Sequence, residues 1–178
     1  MRYDKDIMPA DKISIDQAKK DKLFYFVANA VIYRPSDGRC LILKRSEREV
    51  AHPGKYGVVG GKLEWSDIPI DKPGRVHGEV LDYPGAVDEL LRREIREESG
   101  LEVKLPAQYL YTMPYIRPDG VPTVMVKYAV EYSSGEVVLE KDAFTDYAWV
   151  NTEEARGYPC LDGIVDEIAA TISIFTRH

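Results

Sequence analysis

The chain of 178 residues has little of what a disulfide scaffold, a zinc protein or a polyanion binder needs. Its two cysteines, Cys40 and Cys160, are too few and too far apart for a disulfide framework or a four-ligand zinc site, so both read as reduced, buried thiols. Positive charge is in deficit: 24 Lys and Arg face 30 Asp and Glu, for a net charge of −6. That excludes an electrostatic grip on long nucleic acid, while single nucleotides stay open if a bound cation supplies the missing charge. No apolar run nears the roughly 20 residues that span a bilayer, and residues 1–22 form a polar N-terminal arm without the apolar stretch of a signal peptide. A soluble, cytoplasmic protein with no membrane contact is expected. Repeats and low-complexity tracts are missing too, and the length suits a single domain over 23–178.

What is present is concentrated between Ala86 and Gly100. At about 100° per residue a helix over 86–99 puts Val87, Leu90, Leu91 and Ile95 on one side and Asp88, Glu89, Arg92, Arg93, Arg96 and Ser99 on the other. Glu94 and Glu98 fall inside the apolar arc and Glu97 at its edge. A buried, unpaired carboxylate costs several kcal/mol, so carboxylates aimed at the core call for a counter-charge such as a divalent cation. The plainer reading is a solvated helix laced by Glu–Arg pairs at spacings of three and four. Upstream, an apolar strand over 56–64 carries Gly60-Gly61, where backbone approaches a ligand closely enough to point a carbonyl at it.

The glycine pair with Glu64, and the run Arg93-Glu94-Ile95-Arg96-Glu97-Glu98-Ser99-Gly100-Leu101, together resemble the Nudix box. That motif, G-x5-E-x7-R-E-U-x-E-E-x-G-U with U a bulky aliphatic residue, is the signature of a family of magnesium-dependent, MutT-like hydrolases. The second half matches at every position. The first half departs: Gly61 lies eighteen residues too far from Arg93, and counting back from Arg93 puts Gly85 where the first glutamate belongs. The departure reads as an insertion over 65–84 inside the box, marked as loop rather than strand or helix by Pro69, Pro73, Gly74, Gly78, Pro84 and Gly85. Either Glu79, in a displaced Gly78-Glu79 pair, supplies the missing carboxylate, or the position is vacant. Trp65, Lys72, Arg75 and His77 suit a lid over a phosphorylated substrate or, equally, a homodimer contact.

Around the motif, strands are expected over 23–33, 40–44, 56–59, 108–116, 123–132, 137–139 and 148–150, with turns at Arg34-Pro35-Ser36-Asp37-Gly38 and Arg117-Pro118-Asp119-Gly120. Asn151 with Glu154 predicts a capped helix start, and Leu161, Ile164, Val165, Ile168, Ile172 and Phe175 form a helical stripe. Strands separated and flanked by helices give an α/β/α sandwich with a mixed central sheet, which is also the fold that the resemblance implies.

The resemblance further implies magnesium, with manganese able to substitute, held by Glu94, Glu97, Glu98 and the Gly61 carbonyl. It makes Glu98 the central ligand, Glu94 a general base and Arg93 the residue that orients the carboxylates. Relatives of this kind place another carboxylate in a later loop, and Glu140 is the best candidate there, ahead of Glu136 and Asp142. Arg45 and Lys62 stand where basic residues approach substrate phosphates. Arg93, Arg45, Lys62 and Glu140 all have a plain alternative as surface charges. Tyr25, Tyr115 and Tyr147 are candidates for base stacking or simply for the core. Breaking a diphosphate requires charge neutralisation and an activated water, and clustered carboxylates with a hard cation provide both. The expected activity is hydrolysis of the diphosphate bond in a nucleoside diphosphate linked to another moiety. A nucleoside triphosphate pyrophosphohydrolase is the alternative, and a non-catalytic nucleotide-binding regulatory module, favoured by Gly85, is the third reading. Prenyl diphosphate isomerases share the fold, but His52-Pro53 lacks the cysteine of their Cys-x-His-Pro segment.

Overall fold

The computed structural model describes residues 23–117 and 119–177; the polar arm expected over 1–22 lies outside them. Among the described residues nine strands and three helices follow one another as β1 (Tyr25–Arg34), β2 (Arg39–Arg45), β3 (Tyr56–Gly57), β4 (Val59–Lys62), β5 (Arg75–His77), β6 (Val80–Asp82), α1 (Ala86–Ser99), β7 (Glu102–Ile116), β8 (Pro122–Ser134), β9 (Phe144–Val150), α2 (Thr152–Ala155) and α3 (Ile164–Thr176). The main sheet runs β3-β2-β1-β8-β7, with β4 added to β1 and β9 to β2. It is mixed because β1 and β8 are parallel while the other pairings are antiparallel.

Alternation along β1 and β2 explains why both faces need a helix. Ala28, Ala30, Ile32, Leu41 and Leu43 pack with Leu90, Leu91 and Ile95 of α1. Their neighbours Val31, Tyr33, Cys40 and Ile42 point the other way, onto Ile164 and Ile168 of α3. Each fully buried Val, Leu or Ile side chain in these layers contributes about 1.5–3 kcal/mol. The α3 face also buries an ion pair. Lys127 Nζ lies 3.1 Å from Glu167 Oε1 with both side chains under 10% exposed, and the Tyr111 hydroxyl donates to the same oxygen at 2.6 Å.

Several expectations need correcting. The strand expected over 56–64 breaks at Val58 into β3, paired with β2, and β4, paired with β1. Residues 137–139 form no strand. Their alternating apolar side chains Val137 and Leu139 pack against the α1 core, while the backbone closes on the end of α1, Val138 N–H donating to Ser99 O at 2.9 Å. The last carbonyls of a helix have no donor within it, and this segment provides donors to them. Ser99, assigned to the polar face of α1, is fully buried, because its hydroxyl satisfies itself on the Ile95 carbonyl at 2.6 Å. The stretch expected as featureless loop contains a single turn of 3₁₀ helix at Trp65–Asp67 and the β5–β6 hairpin around Gly78-Glu79.

Candidate active site

Helix α1 starts behind Gly85, whose backbone is left-handed at φ 81°, and ends at the left-handed Gly100. Between these caps the apolar stripe fixes the rotation of the helix, so Glu94 and Glu98, one turn apart, are pushed toward β4. Glu94 keeps only 14% of its side chain exposed, against 54% for Glu97. The glycine pair makes room for both. A Cβ built on Gly61 would overlap the Glu94 carboxyl group, and the Gly60 N–H donates to Glu98 Oε2 at 3.1 Å.

Arg93 ties the group together. Its guanidinium lies 2.9 Å from Glu94 Oε1, 3.4 Å from Glu97 Oε2 and 3.1 Å from Asp67 Oδ2. The Arg93–Glu89 contact allowed by their spacing does not form, since Glu89 pairs with Arg92 at 2.7 Å. Glu140 is brought close through its backbone, its N–H donating to the Glu98 carbonyl at 3.2 Å. Its charge, with that of Glu94, adds to what burial does to Glu98, whose carboxyl is pushed up to about 8 against only partial relief from the Gly60 N–H and Arg45. Glu94 is also raised, first by burial and then by Glu97, Asp67 and Glu140, with Arg93 opposing.

The remaining candidates fall into two groups. Arg45 acts on Glu98 electrostatically while its guanidinium is held by Glu49 at 2.6 Å and the Ala51 carbonyl at 2.8 Å. Lys62 leaves β4 exposed and stands 5.8 Å from the Tyr25 ring, as does Arg117. Asp142 is drawn instead toward Arg48 at 3.8 Å. Glu79 sits exposed on the β5–β6 turn. Tyr147 is 42% exposed on β9.

Asp67 escaped the sequence reading although its signal is simple. It lies six residues after Gly61, the separation that the motif demands when counted forward from the glycine rather than backward from Arg93. Beside it, the stretch after the 3₁₀ turn and the first half of α1 enclose a cavity of about 610 Å³ lined in part by Ile68, Lys72, Tyr83, Leu90 and Arg93.

Among the described residues no three acidic or histidine side chains converge on one cation position: Glu94 is turned to Arg93 and Glu98 to the Gly60 N–H. The donor chemistry nevertheless fits a hard dication. The donors are carboxylate oxygens beside a backbone that leaves no room for a Cβ, and burial leaves Glu98 short of positive charge.

A model of the NUDIX domain matches residues 25–168, and the chain belongs to the Nudix hydrolase family. A nucleoside triphosphatase NudI of Klebsiella pneumoniae is 28% identical over 131 residues, covering 69% of this chain and 80% of that protein. An NAD-capped RNA hydrolase NudC of Pseudomonas fluorescens is 27% identical over 138 residues, covering 78% of this chain but 41% of that protein. The fold matches a MutT NUDIX hydrolase from Burkholderia pseudomallei with a TM-score of 0.62 at 24% identity, covering 84% of this chain and 98% of that one. It also matches the NUDIX domain of Shewanella oneidensis NrtR, solved with ADP ribose, with a TM-score of 0.64 at 16% identity, covering 90% and 96%. Among the described residues no helix is long and apolar enough to cross a membrane.

Proposed function

We propose that the protein is a magnesium-dependent hydrolase that cleaves the diphosphate bond of a nucleoside diphosphate linked to another moiety. The observation that carries this reading is the pair Glu94 and Glu98, held against Gly60 and Gly61, with Glu98 buried and short of positive charge. Nudix hydrolases are typically divalent-metal dependent. Glu94, Glu97, Glu98 and the Gly61 carbonyl would hold the ion, with manganese as a substitute. When bound, it would supply charge neutralisation on the phosphates and acidify an attacking water.

The chain's own residues supply the rest. Arg93 holds Glu94 and Glu97 at fixed spacing, which limits the freedom that the carboxylates lose when substrate arrives. Glu94, its proton affinity raised by burial, is the general base, and Glu140 is the second carboxylate near the reacting water. Arg45 and Lys62 contact the phosphates. ADP ribose and an NAD cap each contain a diphosphate that joins a nucleoside to another group, which supports a linked diphosphate as the substrate class. The nucleoside triphosphatase relative supports a triphosphate as the second reading.

The test is phosphate or nucleotide release from nucleoside diphosphate sugars, dinucleoside polyphosphates, NADH, ADP-ribose and nucleoside triphosphates, with magnesium and with chelator, for wild type beside Glu98→Gln. Release that needs magnesium and vanishes in the variant is the expected result. Silence across the panel while nucleotide still binds in a calorimeter overturns it in favour of a binding module.

A further inference from the structure

The box motif requires a carboxylate eight residues before its arginine, and here that position is Gly85. The backbone shows why a carboxylate at 85 would serve poorly. Gly85 is the left-handed residue in front of α1, and at about 1.5 Å per residue it lies roughly 12 Å along the helix axis from Arg93. Glu79, the other candidate, is on the tip of a hairpin in a separate two-stranded sheet. Arg93 still has a carboxylate partner from outside its helix, and that partner is Asp67.

Asp67 is well fixed for such a role. It ends the 3₁₀ turn Trp65–Asp67, its N–H donates to the Glu64 carbonyl at 3.1 Å, and its Oδ2 accepts from the Glu64 N–H at 3.1 Å. That same oxygen meets Arg93 Nη2 at 3.1 Å, and Nη2 meets Glu94 Oε1 at 2.9 Å. Among the described residues, the guanidinium without Asp67 would be held only from its own helix, by Glu94 and Glu97. A long, flexible side chain tied at one end gains a defined direction from a second anchor.

We infer that Asp67 is the positioning carboxylate of the site, acting through Arg93 on Glu94, and that the box is interrupted after Asp67 rather than before it. The extra residues are then 68–85, and neither Glu79 nor Gly85 takes part. This rests on the hydrolase reading for its catalytic consequence but not for the coupling itself. Supporting residues around a metal ligand are worth about ten- to a hundredfold in metal affinity or activity, so a loss of about tenfold is expected when Asp67 is neutralised.

The experiment is a double-mutant cycle of Asp67→Asn and Arg93→Gln, with Asp67→Glu and Glu79→Gln alongside. Manganese binding is followed by electron paramagnetic resonance, magnesium-dependent turnover on the best panel substrate is assayed, and melting temperature is recorded. Asp67→Asn is expected to weaken manganese binding and turnover by about tenfold. Asp67→Glu should retain most of both, Glu79→Gln all of both, and Asp67→Asn should add less than about twofold once Arg93→Gln is present. Equal losses in both backgrounds, undiminished manganese binding in Asp67→Asn, or a loss in Glu79→Gln would overturn the inference. A wild type that binds manganese but turns over nothing defeats the hydrolase reading and leaves the cycle to decide Asp67; one that binds no manganese defeats both.

Discussion

The Glu94 carboxyl group occupies the space that a side chain on Gly61 would need. The same is not true one residue earlier, where a Cβ on Gly60 would run into the Ala28 carbonyl and the Asn29 backbone. Adjacent glycines are therefore required for different reasons, one by the Glu94 side chain and one by the neighbouring strand.

Replacing them separates the two. Gly61→Ala should leave a folded protein, because a side-chain end can yield, but displace Glu94 and reduce turnover by about a hundredfold, as a misplacement near 1 Å does elsewhere. Gly60→Ala should instead destabilise the fold by about 1–3 kcal/mol through overpacking against backbone. Urea denaturation beside steady-state kinetics distinguishes them, and equal effects on both quantities would contradict the assignment.

The Glu98 carboxyl makes metal-free stability depend on pH. Its ordinary value is 4.5 and the fold raises it to about 8, chiefly by burial. Between those values the unfolded chain has released a proton that the folded chain keeps, so stability falls as pH rises from about 5 and the loss is complete above about 8, by an amount of a few kcal/mol. In chelator, Glu98→Gln should flatten this slope and be the more stable protein at pH 8. Parallel wild-type and variant curves across pH 5–8 would show that the carboxyl is not buried as described.

On the opposite face, the Lys127–Glu167 pair is nearly removed from solvent. Glu167→Ala leaves the ammonium without its partner and should cost about 3–5 kcal/mol, whereas Lys127→Met combined with Glu167→Leu should recover most of that. Thermal or chemical denaturation of the three proteins measures it. A harmless single variant would mean that water reaches Lys127 freely.

Burial raises the Cys40 thiol to about 12, and the sheet covers it completely. A thiol-reactive disulfide reagent at pH 8 should leave Cys40 unmodified in the native protein and label it only after denaturation. Rapid labelling of two thiols in the native state would refute this.

The box helix was legible because three separate signals agreed: the Leu90, Leu91, Ile95 stripe, carboxylates placed inside an apolar arc, and the match to the motif from Arg93 to Leu101. The α3 stripe and the Asn151–Glu154 cap were legible for similar reasons, being local patterns that the structure keeps. Part of what failed was decided by distant partners, part by local bonds that polarity and punctuation conceal. Val137 and Leu139 alternate like a strand, yet the free carbonyls ending α1 claimed their backbone. Ser99 is polar, yet a hydroxyl bonded within its own helix can be buried. The β5–β6 hairpin was hidden by the prolines and glycines around it, and Val58 could not reveal that β3 and β4 choose different neighbours. Glu94, Glu97, Glu98 and Arg93 stand out by motif, whereas the contact of Asp67 with Arg93 does not, because the gap is counted back from Arg93 alone.

The two ends of the stretch between Asp67 and Ala86 are anchored independently of what lies between, one by the 3₁₀ turn and its bond to Arg93, the other by the left-handed start of α1. Closing a longer loop costs only about 0.6 kcal/mol for each doubling in length. The interval is thus a natural splice point, at which evolution can exchange recognition elements and a protein engineer can graft a sensor peptide or a capture tag, while the carboxylates a few ångströms away keep the same scaffold.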